Sequence, residues 1–368
     1  MQNRYLPLGA VLSLVCAIVA PLSAAEAAKQ ARRYELERAD KGYRLVLRSV
    51  ELPAPKANEV VVRIRAVSLN HRDLYVLQGV YGGETAGNVP VSDGAGEVVA
   101  LGSGVKRFKV GDRVATTFFE SWNDGPATPA AISKARGGAA PGVLAEKIVT
   151  HEDGLVRIPD HLSFEEAATL PCAAVTAWNG LFKYGHMQRG QFVLLEGTGG
   201  VSIFGLQFAA AAGAKPIITS SSDAKLERAR TLGAVATINY RTHPEWQEQV
   251  RAATKGAGVS HVLEIGGKDT LPRALAALGL GGHVALIGGL TGFEGSVDVG
   301  AVTGRLGSLT SVYVGSRADF EAMNEFIARH KLKPVIDRVF SFEEAAAAFE
   351  YLESGSQDRK STRLNSSH

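Results

Sequence analysis

A glycine-rich turn at residues 197–202 is the part of this sequence whose residue types best suit phosphate binding. The turn follows a short apolar run at residues 193–195 and precedes a helical pattern. Glycines let the backbone turn tightly against a pyrophosphate, and the free N–H groups at a helix N-terminus attract that anion. We therefore predict dinucleotide binding by Gly197, Thr198, Gly199, Gly200, Val201 and Ser202. The alternative is an ordinary Gly-rich loop, since Ser202 stands where this fingerprint usually has Gly or Ala.

The next strand pattern, at residues 215–219, ends at serines rather than at an acidic residue. An acidic side chain about 20 residues after the glycines would bind the ribose 2′-hydroxyl of NAD. Here the chain offers Ser220 and Ser221, with Lys225 in the first turn of the next helix. Hydroxyl groups beside a cation suit a 2′-phosphate, so we expect NADP(H) in preference to NAD(H). The alternative is that Lys225 is only a solvated helix charge, just as Asp223 is simply an N-terminal helix residue.

Composition limits the class of protein. The chain has 368 residues, of which 45% are hydrophobic and 21% charged, enough for one large core or two ordinary ones. The formal net charge of +3 and the lack of a basic run with interleaved aromatic residues argue against a nucleic-acid partner. The two cysteines, Cys16 and Cys172, do not identify a redox compartment.

Both ends of the chain differ from the rest. Arg4, an apolar run at residues 6–22 and small residues after it are typical of a secretory signal over residues 1–27. We expect export to the periplasm, and no stable membrane span once the signal segment has been removed. The alternative is a cytoplasmic protein, because nicotinamide cofactors are mainly cytoplasmic and no twin-arginine pair precedes the run.

The tail at residues 358–368 is polar and has no apolar period. Its reverse translation reads like a sequencing adapter, so we expect a non-native tail and a natural chain that continues differently after about Gln357. The alternative is a disordered native tail.

Between the ends, the chain changes its pattern once. Residues 34 to about 149 contain short alternating strands and turns, which indicate a β-rich domain. From residue 163 helices alternate with buried strands, which predicts an α/β fold with a doubly wound parallel sheet. Residues 121–142 are dense in Gly, Pro and Ala and predict a long loop or lid. Ser341 and Glu344 have the spacing of a capping box before a helix.

The order of five motifs resembles the medium-chain dehydrogenase/reductase superfamily over nearly all of residues 34–357. The motifs are Ser-Leu-Asn-His-Arg-Asp-Leu-Tyr from residue 68, Ser-Asp-Gly-Ala-Gly-Glu-Val from 92, Gly-Asp-Arg-Val from 111, Ala-Ala-Thr-Leu-Pro from 167 with Thr-Ala-Trp from 176, and the glycine turn. The resemblance implies a GroES-like catalytic domain at 34–160, completed by 300–357, and a Rossmann domain at 161–299. It also implies a cleft between the domains and a homodimer.

The chain departs from that family pattern at the positions of the zinc ligands. Zinc alcohol dehydrogenases of the family have a Cys where Asn70 stands, a His near Asp93, and a lobe with four cysteines. Two cysteines in the whole chain cannot supply those ligands. The chain therefore resembles the zinc-lacking quinone oxidoreductase branch, which implies NADPH-dependent reduction of electron-poor carbonyl or alkene acceptors without zinc.

By the same resemblance, Asn70, Asp73 and Tyr75 line the cleft near the nicotinamide and the substrate. An amide and a phenol can stabilise a developing oxyanion or enolate without a metal, and Tyr75 is our candidate proton donor. The alternative is that Asn70 and Asp73 cap a turn while Tyr75 packs. We regard His71 as a surface neighbour and Cys172 as a packed thiol.

Five further residues are expected around the cofactor, three of them from the resemblance and two from their place after strands. Thr176 matches the residue that contacts the nicotinamide carboxamide, although a buried helix Thr can equally bond its own backbone. Tyr240 and Arg241 match a segment that borders the adenosine end, the alternative being a polar turn. Gly266 and Gly288 follow two Rossmann strands, where small residues leave room for the ribose.

The expected function is that of a zinc-independent NADP(H) oxidoreductase that transfers hydride between the nicotinamide and a quinone, enone or carbonyl substrate. An alcohol dehydrogenase or an enoyl-thioester reductase on the same fold remains an alternative. So does a non-catalytic NADPH-binding redox sensor, because a fold does not fix function.

Overall fold

The computed structural model describes residues 30–81 and 84–355, and the backbone of residues 363–365. The predicted signal segment lies outside these residues. No helix within them is both long enough and apolar enough to cross a membrane. The described chain forms a β-rich unit and a parallel-sheet unit, as the sequence predicts.

The β-rich unit is built on alternating strands whose apolar residues face inward. Val60, Val62 and Ile64 on the third strand are each at most 2% exposed, while Arg63 between them is exposed. The first two strands form a separate antiparallel hairpin, and the others join a seven-stranded sheet. The strands are β1 (Gln30–Arg38), β2 (Tyr43–Glu51), β3 (Glu59–Ser68), β4 (Asp93–Leu101), β5 (Arg113–Thr116), β6 (Lys147–His151) and β7 (Leu155–Arg157).

Helical segments are short in this unit. They are α1 (His71–Leu77), α2 (Pro129–Ile132) and a 3₁₀ turn (Glu152–Gly154). The predicted lid at 121–142 is irregular apart from the single turn of α2, which begins at the N-cap Thr128. Ile132, Ser133, Ala135, Gly138 and Ala139 of this segment line the cleft between the β-rich unit and the parallel-sheet unit.

The second unit is a six-stranded parallel sheet in the order β10-β9-β8-β11-β12-β13. Its order reverses between β8 and β11, the place where doubly wound sheets bind ligands. This confirms the predicted Rossmann architecture. The strands are β8 (Phe192–Leu195), β9 (Lys215–Ser220), β10 (Ala236–Asn239), β11 (Val259–Glu264), β12 (Leu278–Leu286) and β13 (Ser308–Ser311).

Helices cover this sheet and connect it to the first unit. An interrupted helix leads into it: α3 (Phe164–Ala168), a π-helical turn (Leu170–Ala174), α4 (Val175–Trp178) and a second π-helical turn (Asn179–Lys183). The others are α5 (Gly200–Ala211), α6 (Asp223–Thr231), α7 (Trp246–Ala253), α8 (Leu271–Ala277), α9 (Val299–Thr303) and α10 (Arg317–His330).

The position of β13 corrects the predicted domain boundary. β13 pairs in parallel with β12 from His283↔Ser308 to Leu286↔Ser311. Residues 308–311 thus belong to the Rossmann sheet, although we expected 300–357 to complete the catalytic domain. The reason is topological, because a sixth strand needs one more crossover, here through α9. The chain returns to the first unit only after β13.

The returning segment comprises β14 (Val339–Ser341), a 3₁₀ turn (Phe342–Glu344) and α11 (Ala345–Glu353). The predicted capping box is confirmed, since the Ser341 N–H donates to Glu344 Oε2 at 2.7 Å. A last strand, β15 (Arg363–Asn365), lies between β14 and β3. The alternative of a disordered tail is therefore wrong for these three residues. Backbone pairing needs little from side chains, so this strand leaves the origin of the tail untested.

One hydrophobic cluster runs through both units. It includes Phe118 and Trp122 from the first unit and Leu195 and Phe204 from the second. Hydrogen bonds join the units beside it, for example from the Cys172 N–H to Asp93 Oδ2 at 3.0 Å. The cleft between the units therefore has a packed floor.

Candidate active site

The glycine turn joins the end of β8 to the start of α5. Gly197 has a positive φ of 71°, and Gly199 is the N-cap of α5 with an extended backbone. A Cβ atom built at either glycine would have no neighbouring heavy atom within 4 Å. No side chain caps the first turn of α5. The turn therefore presents open space and helix N–H groups, which fits a dinucleotide pyrophosphate.

Hydrogen bonds with neighbouring hydroxyl groups hold the glycine turn in place. The hydroxyls of Thr198 and Ser220 lie 3.2 Å apart, and the Gly197 N–H donates to Thr219 Oγ1 at 3.1 Å. Ser202 donates to the Glu196 carbonyl at 2.6 Å, which ties the helix start to the strand end. Thr198, Ser202 and Ser220 are buried, so the structure gives all three a shaping role.

The ends of β9 and β10 bring together the residues predicted for the adenosine end. Ser221 and Lys225 are half-buried, whereas Tyr240 and Arg241 are exposed. The Tyr240 N–H donates to the Ser220 carbonyl at 3.0 Å, which joins the two strand ends. The nearby carboxylate of Asp223 accepts a hydrogen bond from Asn239 at 2.8 Å.

A cleft of about 530 Å³ lies between the two units. Asn70, Tyr75, Thr176, Val201 and Gly288 all line it, so five predicted residues from distant parts of the chain meet in one site. The remaining wall is largely apolar and aromatic, and part of it comes from the predicted lid. It includes Tyr81, Phe118, Ile132, Ile287, Phe293 and Tyr313.

The structure assigns Asp73 to the helix cap instead of the cleft. Asp73 is buried, and Oδ2 accepts the Asn70 N–H at 2.7 Å while Oδ1 accepts from Arg72 at 3.0 Å. It is not one of the cleft-lining residues. The prediction of a catalytic Asp73 is therefore replaced by the capping alternative. Asn70 is the N-cap residue of α1 and also lines the cleft.

Tyr75 lies in an aromatic row along α1. Its ring packs edge-on to His71 at 4.8 Å and to Tyr81 at 5.8 Å between centroids. His71 and Tyr81 also line the cleft. Sequence reasoning placed His71 on the surface and did not consider Tyr81. The spacing of His71 and Tyr75, one helical turn apart, was the available signal.

Thr176 makes the backbone hydrogen bond of its alternative interpretation, while its predicted contact with the nicotinamide stays a prediction. Its hydroxyl donates to the Cys172 carbonyl at 2.7 Å, the bond that a buried helix Thr makes to its own backbone. The side chain still lines the cleft, where the hydroxyl oxygen can accept a hydrogen bond from a carboxamide. Cys172 lines the cleft as well and is half-buried.

Gly266 and Gly288 are required by close backbone packing. A Cβ at Gly288 would lie 2.3 Å from the Ile265 carbonyl, and one at Gly266 would lie 2.3 Å from the Thr270 hydroxyl. Gly288 lines the cleft and Gly266 lies behind it. Gly288 thus lets the loops after β11 and β12 approach each other, and Gly266 leaves room for the Thr270 side chain.

Two buried carboxyl groups lie beneath the glycine turn, and sequence reasoning missed both. Glu196 directly follows β8 and Glu264 ends β11, and they are 7% and 1% exposed. Burial, and then the negative charge of Glu264, raises the pKa of Glu196 well above its usual range. The signal was a Leu-Glu pair followed closely by glycine at the ends of both strands.

Within residues 30–81 and 84–355, no group of three or more His, Cys, Asp or Glu side chains is arranged to bind a metal ion. Asp93, near the position where zinc enzymes of this kind have a ligand, is buried. Its Oδ1 accepts from the Ser92 hydroxyl at 2.6 Å, and its Oδ2 accepts the Cys172 N–H.

Comparison with known proteins identifies both units. The alcohol dehydrogenase GroES-like domain family matches residues 56–160, and the zinc-binding dehydrogenase family matches residues 200–329. A zinc-type alcohol dehydrogenase-like protein of Schizosaccharomyces pombe is 44% identical over 301 residues, 80% of this chain and 87% of that protein. The chain belongs to the medium-chain dehydrogenase/reductase superfamily.

Other members of the superfamily are similar to this chain over most of its length. A quinone oxidoreductase of Pseudomonas aeruginosa is 33% identical over 83% of this chain and 90% of its own length. A solved NAD-dependent alcohol dehydrogenase superposes with a TM-score of 0.81 at 32% identity, covering 91% of this chain and 100% of that one. The protein is accordingly an oxidoreductase whose cofactor is a nicotinamide dinucleotide.

Proposed function

We propose that this medium-chain oxidoreductase is zinc-independent and transfers hydride between NADP(H) and a quinone, enone or carbonyl substrate. The observation that carries the proposal is the shared cleft: an amide, Asn70, and a phenol, Tyr75, line the same space as Val201 at the start of the dinucleotide helix. The likeness to a protein named quinone oxidoreductase supports this substrate class.

The chemistry of the side chains supports zinc independence. Asn70 offers an amide where a zinc enzyme of the family has a thiolate, and the Asp93 carboxylate already accepts two hydrogen bonds. Tetrahedral zinc sites take thiolate, imidazole or carboxylate ligands, and catalytic ones need three from the protein. Cys172 is one such group beside the cleft, but no three His, Cys, Asp or Glu side chains among the described residues are grouped to bind a metal ion.

The ends of β9 and β10 support the preference for NADP(H). Lys225 lies four residues after Ser221, and Arg241 directly follows Tyr240, whose N–H donates to the Ser220 carbonyl, so a cation follows each of these strand ends. The carboxylate of Asp223, which could otherwise bind a ribose hydroxyl, is turned to Asn239. A phosphate would gain charge-assisted hydrogen bonds at this place.

The residues of the chain position the reactants and handle the proton. When bound, the dinucleotide supplies the hydride chemistry. Asn70 donates an N–H to the carbonyl oxygen of the acceptor. Tyr75 holds a phenolic proton for the same oxygen or, in an enone, for the carbon next to the carbonyl group. Phe118, which is buried, and Tyr313, which is 53% exposed, contribute apolar surface to the wall of the cleft.

The decisive experiment is dinucleotide oxidation by chelator-treated protein with quinones, enals and simple aldehydes, with NADPH and NADH in parallel. We expect turnover with NADPH and a quinone or enal, unchanged by chelation. Turnover that needs added zinc contradicts the proposal. Binding of NADPH without turnover favours a redox sensor, and alcohol oxidation with NAD favours an alcohol dehydrogenase.

Replacing Tyr75 by Phe tests the assigned proton donor. We expect kcat to fall about 100-fold, in the range of a lost general acid, with the dissociation constant for NADPH unchanged. Tyr81→Phe is the matched control, because it removes the same phenol oxygen from a neighbouring cleft residue. Equal loss in both variants contradicts a special role for Tyr75.

We also propose a homodimer that forms through the outer edge of the Rossmann sheet. β13 is the outermost strand there, and Leu280 and Leu306 near it are 77% and 74% exposed. Exposed apolar residues beside an open strand edge favour association with a second copy. Light scattering should give twice the chain mass of 38.8 kDa, and a monomer mass would contradict the proposal.

Export of the mature protein is a further proposal, supported by the apolar run at residues 6–22 after Arg4. Sequencing the N-terminus of the protein in the periplasmic fraction tests it. An intact Met1 in the cytoplasmic fraction would contradict it.

A further inference from the structure

Two acidic side chains meet at the point where the order of the Rossmann sheet reverses. Glu196 Oε2 accepts the backbone N–H groups of Ile265 at 3.2 Å and Gly266 at 3.4 Å. Glu264 Oε1 accepts the Gly267 N–H at 2.9 Å and the hydroxyl of Thr270. The carboxyl of Glu196 therefore bridges from the end of β8 to the loop that follows β11.

The second oxygen of Glu196, Oε1, is fully buried and has no hydrogen-bond partner among the described residues. The two carboxyls accept hydrogen bonds from consecutive backbone N–H groups, those of Ile265 and Gly266 for Glu196 and that of Gly267 for Glu264, so they lie side by side. The negative charge of Glu264 is accordingly one cause of the raised pKa of Glu196. An acidic oxygen with no donor beside another carboxylate is explained if it carries a proton itself. Two buried carboxylates so close together cannot both ionise without a large cost.

Other charged groups on the surrounding elements do not replace this proton. The loop after β11 also carries Lys268 and Asp269, and both are exposed. The stem of Lys268 lies against Gly292, and the Asp269 N–H donates to Thr291. From β9 and α5 the nearby groups are the neutral hydroxyls of Thr219 and Ser202.

We propose that Glu196 keeps its proton at neutral pH and donates a hydrogen bond through it to the Glu264 carboxylate, and that this bond holds the glycine turn and the Ile265–Gly266 segment in the arrangement that binds the dinucleotide. Glu196 is thus a positioning residue for cofactor binding. The inference rests on the dinucleotide site assigned above.

The location of Glu196 explains why its protonation state affects dinucleotide binding. Glu196 directly precedes Gly197 of the turn, and Ile265 lines the cleft. Loss of the proton would leave two negative charges beneath a bound pyrophosphate and would break the bond between the two loops. Because the folded protein holds a proton that the unfolded chain releases, stability falls as pH rises through the raised pKa of Glu196.

The test is the dissociation constant for NADPH and the melting temperature without cofactor, both measured from pH 6 to pH 10. Glu196→Gln is the probe, because a neutral amide can donate to Glu264 and still accept the two N–H groups. We expect wild-type affinity to fall by up to about tenfold per pH unit on the alkaline side, the limit for one coupled proton. Glu196→Gln should bind as tightly at pH 6 and lose that slope.

Glu227→Gln is the matched control, since it makes the same charge change at an exposed carboxylate. It should keep the wild-type pH profile. Glu264→Gln is a second probe: it removes the neighbouring charge but not the burial of Glu196, so the slope should begin at a lower pH than in wild type. An infrared band of a protonated carboxyl at pH 7, present in wild type and absent in Glu196→Gln, would support the shared proton directly.

Identical alkaline profiles for wild type and Glu196→Gln, or the absence of that band, would overturn the inference. Failure of the proposed NADP(H) activity is distinguishable from this result. A protein that does not reduce quinones or enals, or does not bind NADPH, still reports on the pair through its melting profile without cofactor.

Discussion

The two ends of the Rossmann sheet bury titratable pairs of opposite chemistry. Glu196, directly after β8, and Glu264, the last residue of β11, lie at the cofactor end. At the other end, His261 on β11 pairs in register with His283 on β12, and their ring centroids are 6.3 Å apart. Burial favours the neutral form in both places, so it raises the pKa of Glu196 and lowers the pKa of both histidines.

The ends differ in how well the buried groups are bonded. At the cofactor end, four donors from the β11 loop serve the two carboxyls. At the opposite end, His261 Nε2 bonds Gln191 at 2.8 Å, but His261 Nδ1 and both nitrogens of His283 have no partner among the described residues. Bonded polar groups cost little to bury, whereas orphaned ones destabilise the fold. The two carboxyls thus accept hydrogen bonds from four donors and the two imidazoles make one hydrogen bond, although Glu196 Oε1 also has no partner among the described residues.

The largest effect is expected from a negative charge in the turn. Gly199→Asp fits the fold, because Asp is a favoured N-cap residue, the backbone is extended there and no atom lies in its way. The same carboxylate repels a pyrophosphate and occupies the helix N–H groups. We expect the dissociation constant for NADPH to rise roughly a thousandfold, or about 4 kcal/mol, measured by titration calorimetry.

Gly199→Asn is the control for that variant, since it adds the same shape without the charge. It should lose much less affinity, and both variants should melt at or above the wild-type temperature. Equal affinity for wild type and Gly199→Asp would mean that the pyrophosphate does not lie at this helix end.

A smaller effect, on protein stability at acidic pH, is expected at the end of the sheet that holds His261 and His283. Burial, then the neighbouring His283 and His186, lowers the pKa of His261 from 6.5 to about 4. The unfolded chain binds the proton first, so stability is complete above pH 6.5 and falls as pH drops toward 4. The loss should be about 3 kcal/mol, read from urea unfolding at each pH.

His261→Gln should flatten this acid limb, because Gln cannot titrate and can still donate to Gln191. His243→Gln makes the same exchange at an exposed histidine and should leave the limb unchanged. If His261→Gln also removed the alkaline slope of cofactor binding, the two ends of the sheet would not be independent.

The sequence predicted those parts of the site that depend on local signals. The glycine turn, the next strand and its serines follow in fixed order, because backbone geometry demands glycine at Gly197 and an open N-cap at Gly199. The capping box at Ser341 is local in the same sense. For Asp73 the capping spacing was equally visible, and the structure supports that interpretation over a catalytic one.

Other parts could not be predicted because they depend on contacts distant in the chain. His71 and Tyr81 enter the cleft only because the Rossmann unit and the lid close over α1. The boundary after β13 follows from a strand pairing that no local pattern specifies.

By itself, then, the sequence determined the order of elements, the dinucleotide turn and the superfamily, because periodicity, glycine placement and motif order are properties of neighbouring residues. Only the tertiary structure decided which polar groups meet. Glu196 and Glu264 are 68 residues apart in number but lie at the ends of adjacent strands, so their shared environment exists only once the sheet has formed. Desolvation and the field of a neighbouring charge depend on distance in space, and they set the protonation of that pair.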